Sequence, residues 1–378
     1  MPDRTLTAAE LNRATLDRQL LLDRVRLEPA AAVERLVALQ AQEPASPYIA
    51  LWTRLDGFDP DDLTDAFQAR RVVKGTLLRV TLHAVSADDY RHFWPAVSPS
   101  LRQWRTPIVR RLGLEADLES LGRQAVAFGS QPRTGAEMRD HMPALEGGLG
   151  PAGQSDSWWA VRPLLPFLMA PGDERWAFGR RPRFVAAPAW LGSDLGSAED
   201  GLVHLVRRYL AGFGPAGVDD IHRFSLVRTT PIRAALERIA AEVVRYRDEG
   251  GRILYDLADR PLPEPDRPAP VRFLPMWDSL LLAYHDRSRV LPEPYRRRVI
   301  QPNGDFLASF MVDGRVAGLW RADLVDGRSK VTALPFEPLA PGDAADVAAE
   351  AERLARFLDP VEPAVYARYA RTWLGDRP

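Results

Sequence analysis

Gln40-Ala41-Gln42 stands where an apolar helical run meets Glu43-Pro44, and its two carboxamides are the side chains best spaced for chemistry in this sequence. A carboxamide carries a donor end and an acceptor end, so a pair facing one cleft can hold and orient a water or a polar ligand atom. Two residues apart in a regular helix, the side chains diverge by about 200°. In extended backbone residues i and i+2 point the same way, so the pair requires the helix to unwind at the motif. Pro44 biases Glu43 away from helical dihedrals and places the helix end near Gln42. A glutamine at a helix end also serves simply to solvate or cap it, and spacing alone leaves that alternative open.

The remaining residue types narrow the chemistry. The 378-residue chain has no cysteine, which excludes disulfides, thiolate ligands and a cysteine nucleophile. His83, His92, His141, His204, His222 and His285 are scattered without metal-binding spacing, so no metal and no cofactor are expected. No apolar run approaches the roughly 18 residues of a membrane span, and the start, MPDRTLTAAELNR, lacks the apolar core of a signal peptide. These features predict the bacterial cytoplasm and no membrane partner. The net charge is −1, whereas a nucleic-acid-binding domain is often strongly basic. Lys74 and Lys330 are the only lysines. Arginine clusters at Arg102/Arg105/Arg110/Arg111, Arg175/Arg180/Arg181/Arg183 and Arg296-Arg297-Arg298 could gather on one face, with Asp59 to Asp65 balancing them elsewhere.

The elements that must position the motif follow from periodicity. Residues 7–27 and 29–42 read as two amphipathic helices, the second with Val33, Leu36, Val37 and Leu39 near helical spacing. Asp59-Pro60 opens a third helix that runs to about Arg71, with a good cap, proline at the first position and acids in the first turn. Thr76 to Val85 alternates and is rich in β-branched residues, as a strand or short hairpin. Helices followed by a hairpin is the order of a winged helix. The order recurs: helices at Leu118–Phe128, Thr134–Met142 and Trp158–Leu168 precede a hairpin over Met169–Phe184 with its tip at Pro171-Gly172-Asp173. Helices at Asp200–Ala211, Gly217–Leu226 and Thr230–Ala240 precede another, with its turn at Glu249-Gly250-Gly251. The stretch from Glu146 to Asp156 is a Gly-rich loop, and 261–270 is a Pro-rich linker. Beyond it, Val271–Leu274, Asn303-Gly304, Asp313-Gly314 and VTALPF predict strands and tight hairpins, then a helix over Ala344–Phe357 and a last one near Val365–Trp373. The expected fold class is α+β: about three tandem winged-helix units (1–110, 111–195, 196–260) and a small C-terminal β-barrel or sheet with terminal helices (261–378).

Three N-terminal blocks, LNRATLDRQLLLDR from Leu11, Arg35 to Leu55 and Gly75 to Tyr90, resemble a bacterial winged-helix superfamily whose known members are DNA glycosylases of the AlkZ and YcaQ type. The likeness continues at Val271 to Pro292 and Val312 to Arg321, and covers nearly the whole chain in the same order, with the middle similar only in outline. The YcaQ-like branch has Gln-x-Asp at the motif, whereas Gln40-Ala41-Gln42 resembles the AlkZ-type pattern of antibiotic self-resistance. The resemblance therefore implies catalytic roles for Gln40 and Gln42, and unhooking of DNA interstrand crosslinks at guanine N7, such as those of azinomycin B. Physical chemistry agrees on the substrate class. Glutamine is no base near neutral pH, but a guanine alkylated at N7 is already cationic and leaves without a general acid. Hydrogen bonds that orient a water then suffice.

The expected partner is double-stranded DNA carrying N7-guanine adducts or crosslinks, held in a concave Arg-lined groove by a monomer that is nucleoid-associated when bound. Because a crosslinked base cannot swing freely out of the duplex, a wide cleft is expected rather than a tight base pocket. Further DNA-contact candidates are Lys74, Arg79 and His83 around the first wing, Trp277 and Asp278, and Arg287 and Arg289. Each has a structural alternative: a satisfied core histidine for His83, packing and a local cap for Trp277 and Asp278. Tyr48 and Trp52 are expected in the core, and Asp88-Asp89 at a helix start. No lysine lies near the motif in sequence, so plain hydrolysis by a monofunctional enzyme is expected. A catalytically inert winged-helix DNA binder or regulator is the alternative.

Overall fold

In the computed structural model, residues 4–111, 118–142, 157–179 and 181–369 are described. The Gly-rich loop from 146 to 156 and the end of the last expected helix, beyond 369, lie outside them.

The helix over 29–42 is shorter than its apolar pattern suggests. It is capped by Glu28, starts at Pro29 and ends at Arg35, and Val37 takes the left-handed region (φ 71°). Leu39–Gln40 then form a two-residue strand, β2. Val33, Leu36, Val37 and Leu39 are all buried, so the pattern reports burial correctly but not the backbone that achieves it. Pairing with a neighbouring strand outweighs the local helical preference. The first helix is likewise shorter than 7–27: Ala8–Arg18, with a capping box between Thr7 and Glu10. A helix that periodicity does not announce, Ala45–Arg54, follows the motif and buries Tyr48 and Trp52. The Asp59-capped helix, Pro60–Gln68, is as expected.

β2 is the edge of a six-stranded antiparallel sheet. Beside it run β4 (Leu82–Ser86), β3 (Val72–Thr76), β6 (Phe167–Ala170), β7 (Arg183–Ala186) and β5 (Arg133–Thr134). The first two expected hairpins, β3–β4 and β6–β7, are thus joined through Lys74↔Met169 and Gly75↔Leu168, the second pairing Ala170 with Arg183 across a longer connection rather than turning tightly at the expected Pro171-Gly172-Asp173. Gly75 permits this approach, since a Cβ there would meet the Phe167 carbonyl oxygen at 3.0 Å. The helix expected over Trp158–Leu168 stops at Val161, because Pro163 and Pro166 cannot extend it and 167–168 join the sheet. After β4 the chain enters a long helix, Ala87–Arg111, which the sequence hides behind Pro95, Pro99 and Pro107. It packs against Ala198–Phe213.

The third hairpin, β8 (Val243–Asp248) and β9 (Ile253–Leu257), forms a separate sheet, with β1 (Arg4–Leu6) parallel to β8. Four antiparallel strands make the C-terminal sheet: β10 (Arg272–Leu274), β11 (Ser309–Val312), β12 (Arg315–Val325) and β13 (Arg328–Pro335). Asp313-Gly314 closes β11–β12 as expected. Asn303-Gly304 closes no hairpin between these strands; its loop lies inside an isolated Ile300↔Phe306 bridge. The helix Pro341–Leu358 packs on this sheet, and a single 3-10 turn, Ala367–Tyr369, stands where the last helix was expected to begin.

Two large buried clusters hold the motif from both sides. One joins Leu16, Leu39, Ala41 and Leu51 with Phe273, Trp320 and Leu354. The other joins Val37 and Ala38 with Phe93, Leu168, Tyr209 and Tyr284. At about 1.5–3 kcal/mol for each fully buried large apolar side chain, the backbone of residues 36–41 is anchored far more strongly than its short strand would be alone.

Candidate active site

β2 is held by Leu39↔Ala84 and Gln40↔His83 pairing and by the Ala41 N–H donating to the Leu82 carbonyl at 2.8 Å. The chain then bends at Gln42 and Glu43 before the next helix. Extended backbone at Gln40 gives the motif the geometry it requires: Gln40 and Gln42 border one cavity of about 410 Å³. Their environments differ. Gln40 is 6% exposed, and its Oε1 accepts a hydrogen bond from Arg79 Nη2 at 3.0 Å. A guanidinium only donates, so the amide orientation is fixed and Nε2 remains the group free to donate. Gln42 is exposed, and no described residue hydrogen-bonds its carboxamide.

Arg79 organises this wall. It sits in the tight turn between β3 and β4 with φ 54°, a left-handed conformation that is strained for arginine. Its Nη1 donates to the Phe224 carbonyl at 2.8 Å, and Nη2 also reaches His83 Nε2 at 3.0 Å. His83 Nδ1 lies 3.0 Å from the Thr81 carbonyl and must donate to it, so Nε2 accepts from Arg79 and the ring is neutral. Burial, and then Arg79, hold the His83 pKa well below its ordinary value. Burial, reinforced by Arg223 and Arg287, lowers Arg79 to about 9, which still leaves it charged at neutral pH.

Trp277, Arg287, Arg223 and Arg296 line the same cavity, with the Asn303-Gly304-Asp305 loop. Arg287 Nε donates to the Leu281 carbonyl at 2.6 Å, its guanidinium lies 5.6 Å from the centre of the Phe306 ring, and its buried Nη2 has no hydrogen-bond partner among the described residues. Burial, then Arg223 and Arg296, bring Arg287 to about 10. Trp277 is fixed by its backbone N–H donating to the Phe306 carbonyl at 3.0 Å. Asp305 is the one carboxylate among the described residues of this wall, and it accepts from Asn303 Nδ2 at 2.8 Å.

Other candidates lie elsewhere. Asp278 is spent on structure: its oxygens accept from Arg54 Nη2 and Nη1 at 2.8 and 2.9 Å, and from the Leu280 N–H at 2.9 Å as a local cap. Arg289 is buried away from this wall, donating to Thr15 Oγ1 and the Pro215 carbonyl, with its guanidinium 4.1 Å from the Tyr284 ring centre. Lys74 borders an adjoining cavity of about 630 Å³ that shares Gln42. Distance along the sequence therefore misleads about lysines near the motif, because β3 lies one strand beyond the partner of β2. Arg223 was not singled out by any motif; it occupies the exposed side of the amphipathic helix Val218–Ser225. The Asn303-Gly304 turn signal does mark a real feature, a loop on the cavity rim.

The wall thus offers one fixed amide donor, one free carboxamide and four guanidiniums against one carboxylate. Such a site can orient a water beside a polyanion. Among the described residues no cluster suited to a metal ion occurs, and no helix is long and apolar enough to cross a membrane.

The solved Streptomyces sahachiroi DNA glycosylase AlkZ has a similar fold, with a TM-score of 0.77 at 20% sequence identity over 93% of this chain and 96% of that one. Among curated protein sequences none matches. The family model of AlkZ-like DNA glycosylases matches residues 33–357, most of the chain. This protein belongs to the AlkZ-like family of DNA glycosylases.

Proposed function

We propose that this DNA glycosylase hydrolyses the N-glycosidic bond of guanine alkylated at N7, including guanine tied to the opposite strand, and so unhooks interstrand crosslinks of an antibiotic such as azinomycin B. The observation that carries the reading is the shared cavity of Gln40 and Gln42 beside four arginines. Gln42 Oε1 accepts a hydrogen bond from the attacking water. Gln40 Nε2, fixed by Arg79, donates to the water oxygen and leaves its other lone pair aimed at C1′. Alkylation has already placed positive charge on the base, so the C1′–N9 bond breaks with the base leaving neutral, and the water proton passes to solvent. Arg223, Arg287 and Arg296 hold flanking phosphates, which makes binding salt-dependent. No lysine lines this cavity among the described residues, so the base-release step is hydrolytic.

The hairpins β3–β4, β6–β7 and β8–β9 serve in this reading as the wings of units 1–110, 111–195 and 196–260, with 261–378 closing the cleft. One chain supplies the whole site, in keeping with a cytoplasmic monomer. The test is base release from a duplex with a defined N7-guanine crosslink, beside an N7-methylguanine duplex. Wild type should unhook the crosslink, and Gln40→Ala and Gln42→Ala should lose most release while retaining duplex binding. Release from the methylated duplex alone would move the assignment to general alkylation repair. Binding without release from either would favour the regulatory alternative.

A further inference from the structure

The second cavity contains a group that base hydrolysis does not use. Lys74 lines it together with Glu43, Trp176, Phe178 and Tyr366, and Gln42 belongs to both cavities. In the sheet, Ala84 has Leu39 and Lys74 as its two cross-strand partners. Strands about 4.8 Å apart put the backbones of Lys74 and Leu39 about 10 Å apart. Facing residues share a sheet face, so Lys74, Ala84 and Leu39 point to one side and Gln40, His83 and Gly75 to the other. Gln42, just past the end of β2, is where the two sides meet.

Lys74 is 2% exposed, and it has no hydrogen bond or ion pair with a described residue. Its ammonium lies 4.4 Å from the centre of the Phe178 ring. Three carboxylates border this cavity, Glu43, Glu174 and Glu362, and none forms an ion pair with Lys74: Glu43 is engaged by Arg368 and by the Tyr369 hydroxyl at 2.8 Å, and Glu362 by Trp176 Nε1 at 2.6 Å and Arg175 at 3.6 Å. A buried cation without a counter-charge is costly, and burial lowers the Lys74 pKa to about 7. A large part of the population is therefore the free amine near neutral pH, the form that attacks carbonyls.

Base release leaves an abasic deoxyribose whose C1′ ring-opens to an aldehyde. We propose that Lys74 forms an imine with this aldehyde and cleaves the strand by β-elimination, a lyase activity that follows base hydrolysis and rests on the glycosylase reading only for the origin of its substrate. Freed of its base, the opened sugar passes round the strand end at Gln42 into the second cavity. The Lys74 nitrogen bonds to C1′ and one water leaves. The iminium draws electrons from C2′, whose proton passes to water, and the 3′ C–O bond breaks with the phosphate as leaving group. A water then hydrolyses the imine and returns the free amine, leaving an unsaturated aldehyde on one strand end and a 5′-phosphate on the other.

The experiment uses the full chain and a duplex with a preformed abasic site, so its outcome does not depend on base release. Sodium cyanoborohydride reduces any imine to a stable protein–DNA adduct, and digestion and mass spectrometry locate the modified residue. Wild type should give an adduct on Lys74, and its rate should fall about tenfold per pH unit below about 7. Lys74→Met, shown to be folded by its thermal melt, should give none, and Lys330→Ala should behave as wild type. Absence of adduct with wild type, an adduct on Lys330 or the terminal amine instead, or persistence in Lys74→Met would each overturn the proposal.

Discussion

Arg79→Lys separates the orientation of Gln40 from the charge of the cavity. The guanidinium makes three bonds at once: Phe224 carbonyl at 2.8 Å, Gln40 Oε1 at 3.0 Å and His83 Nε2 at 3.0 Å. An ammonium keeps the positive charge but lacks the planar fork that reaches these acceptors together. Hydrogen bonds to a charged group contribute about 1.5–3 kcal/mol each. If the bond to Gln40 is realised in full at the transition state, its loss slows base release by roughly 10- to 100-fold, at 1.36 kcal/mol per decade. Duplex binding, which reads charge, should change by less than about threefold. Single-turnover release from an N7-alkylated duplex at saturating enzyme gives the first quantity, and a salt titration of binding gives the second. Release within twofold of wild type would refute the claim that Arg79 sets the Gln40 amide. Equal loss of binding and release would make Arg79 a phosphate contact instead.

Two predictions concern buried charge. Arg54→Ala removes a guanidinium with no exposure and strands the Asp278 carboxylate in the core; urea unfolding should show a loss of roughly 3–5 kcal/mol, and a loss under about 1 kcal/mol would show that water relieves Asp278. Lys74→Met should stabilise the fold. Lys74 has a folded pKa of about 7, below its unfolded value of 10.5, so the unfolded state binds more protons between those values. Wild-type stability from this group therefore rises with pH over that window. The advantage of Lys74→Met, up to roughly 5 kcal/mol below pH 7, should shrink by about 1.4 kcal/mol per pH unit above it. Thermal melts of both proteins from pH 6 to 9 measure this, and a constant or growing advantage would show that Lys74 is not titrating in the folded state.

The sequence displays local chemistry well and strand partnership poorly. Asp59-Pro60 and Asp313-Gly314 act where they stand, because caps and tight turns depend on a few consecutive residues. Gln40 and Gln42 border one cavity, with the extended backbone at Gln40 that a shared side requires at i, i+2 spacing, yet the helix end near Gln42 is placed too late. Two residues are too few for a strand to show in a pattern, and their partner lies in β4. The same non-local choice of partners joins two hairpins into one sheet, and sets Lys74 beside the motif from which it is remote along the chain. Asp278 and Arg289 illustrate the converse. Residues inside a block typical of the family are there for burial as readily as for DNA, and only their partners tell which.

Charge is where composition and structure differ most usefully. A net charge of −1 argues against a uniformly basic surface, but what DNA senses is local potential within about a Debye length. Arg79, Arg223, Arg287 and Arg296 converge on one wall from four separate segments, against Asp305 alone among the described residues. Burial makes two of these cations harder to keep, pulling Arg79 to about 9 and Arg287 to about 10. A polyanion that brings phosphates to this wall relieves that cost, so in the proposed mechanism binding energy from the backbone is gained where the reacting bond would lie. The same field disfavours a cationic base in the cavity. In the proposed reaction, breaking the glycosidic bond of an N7-alkylated guanine would turn that base neutral and move positive charge onto the sugar, closer to the phosphates. Two neutral carboxamides add no charge to this balance. A carboxylate in place of Gln42 would pair with the nearby guanidiniums; in the proposed mechanism the neutral glutamines leave those arginines for DNA and the water for C1′.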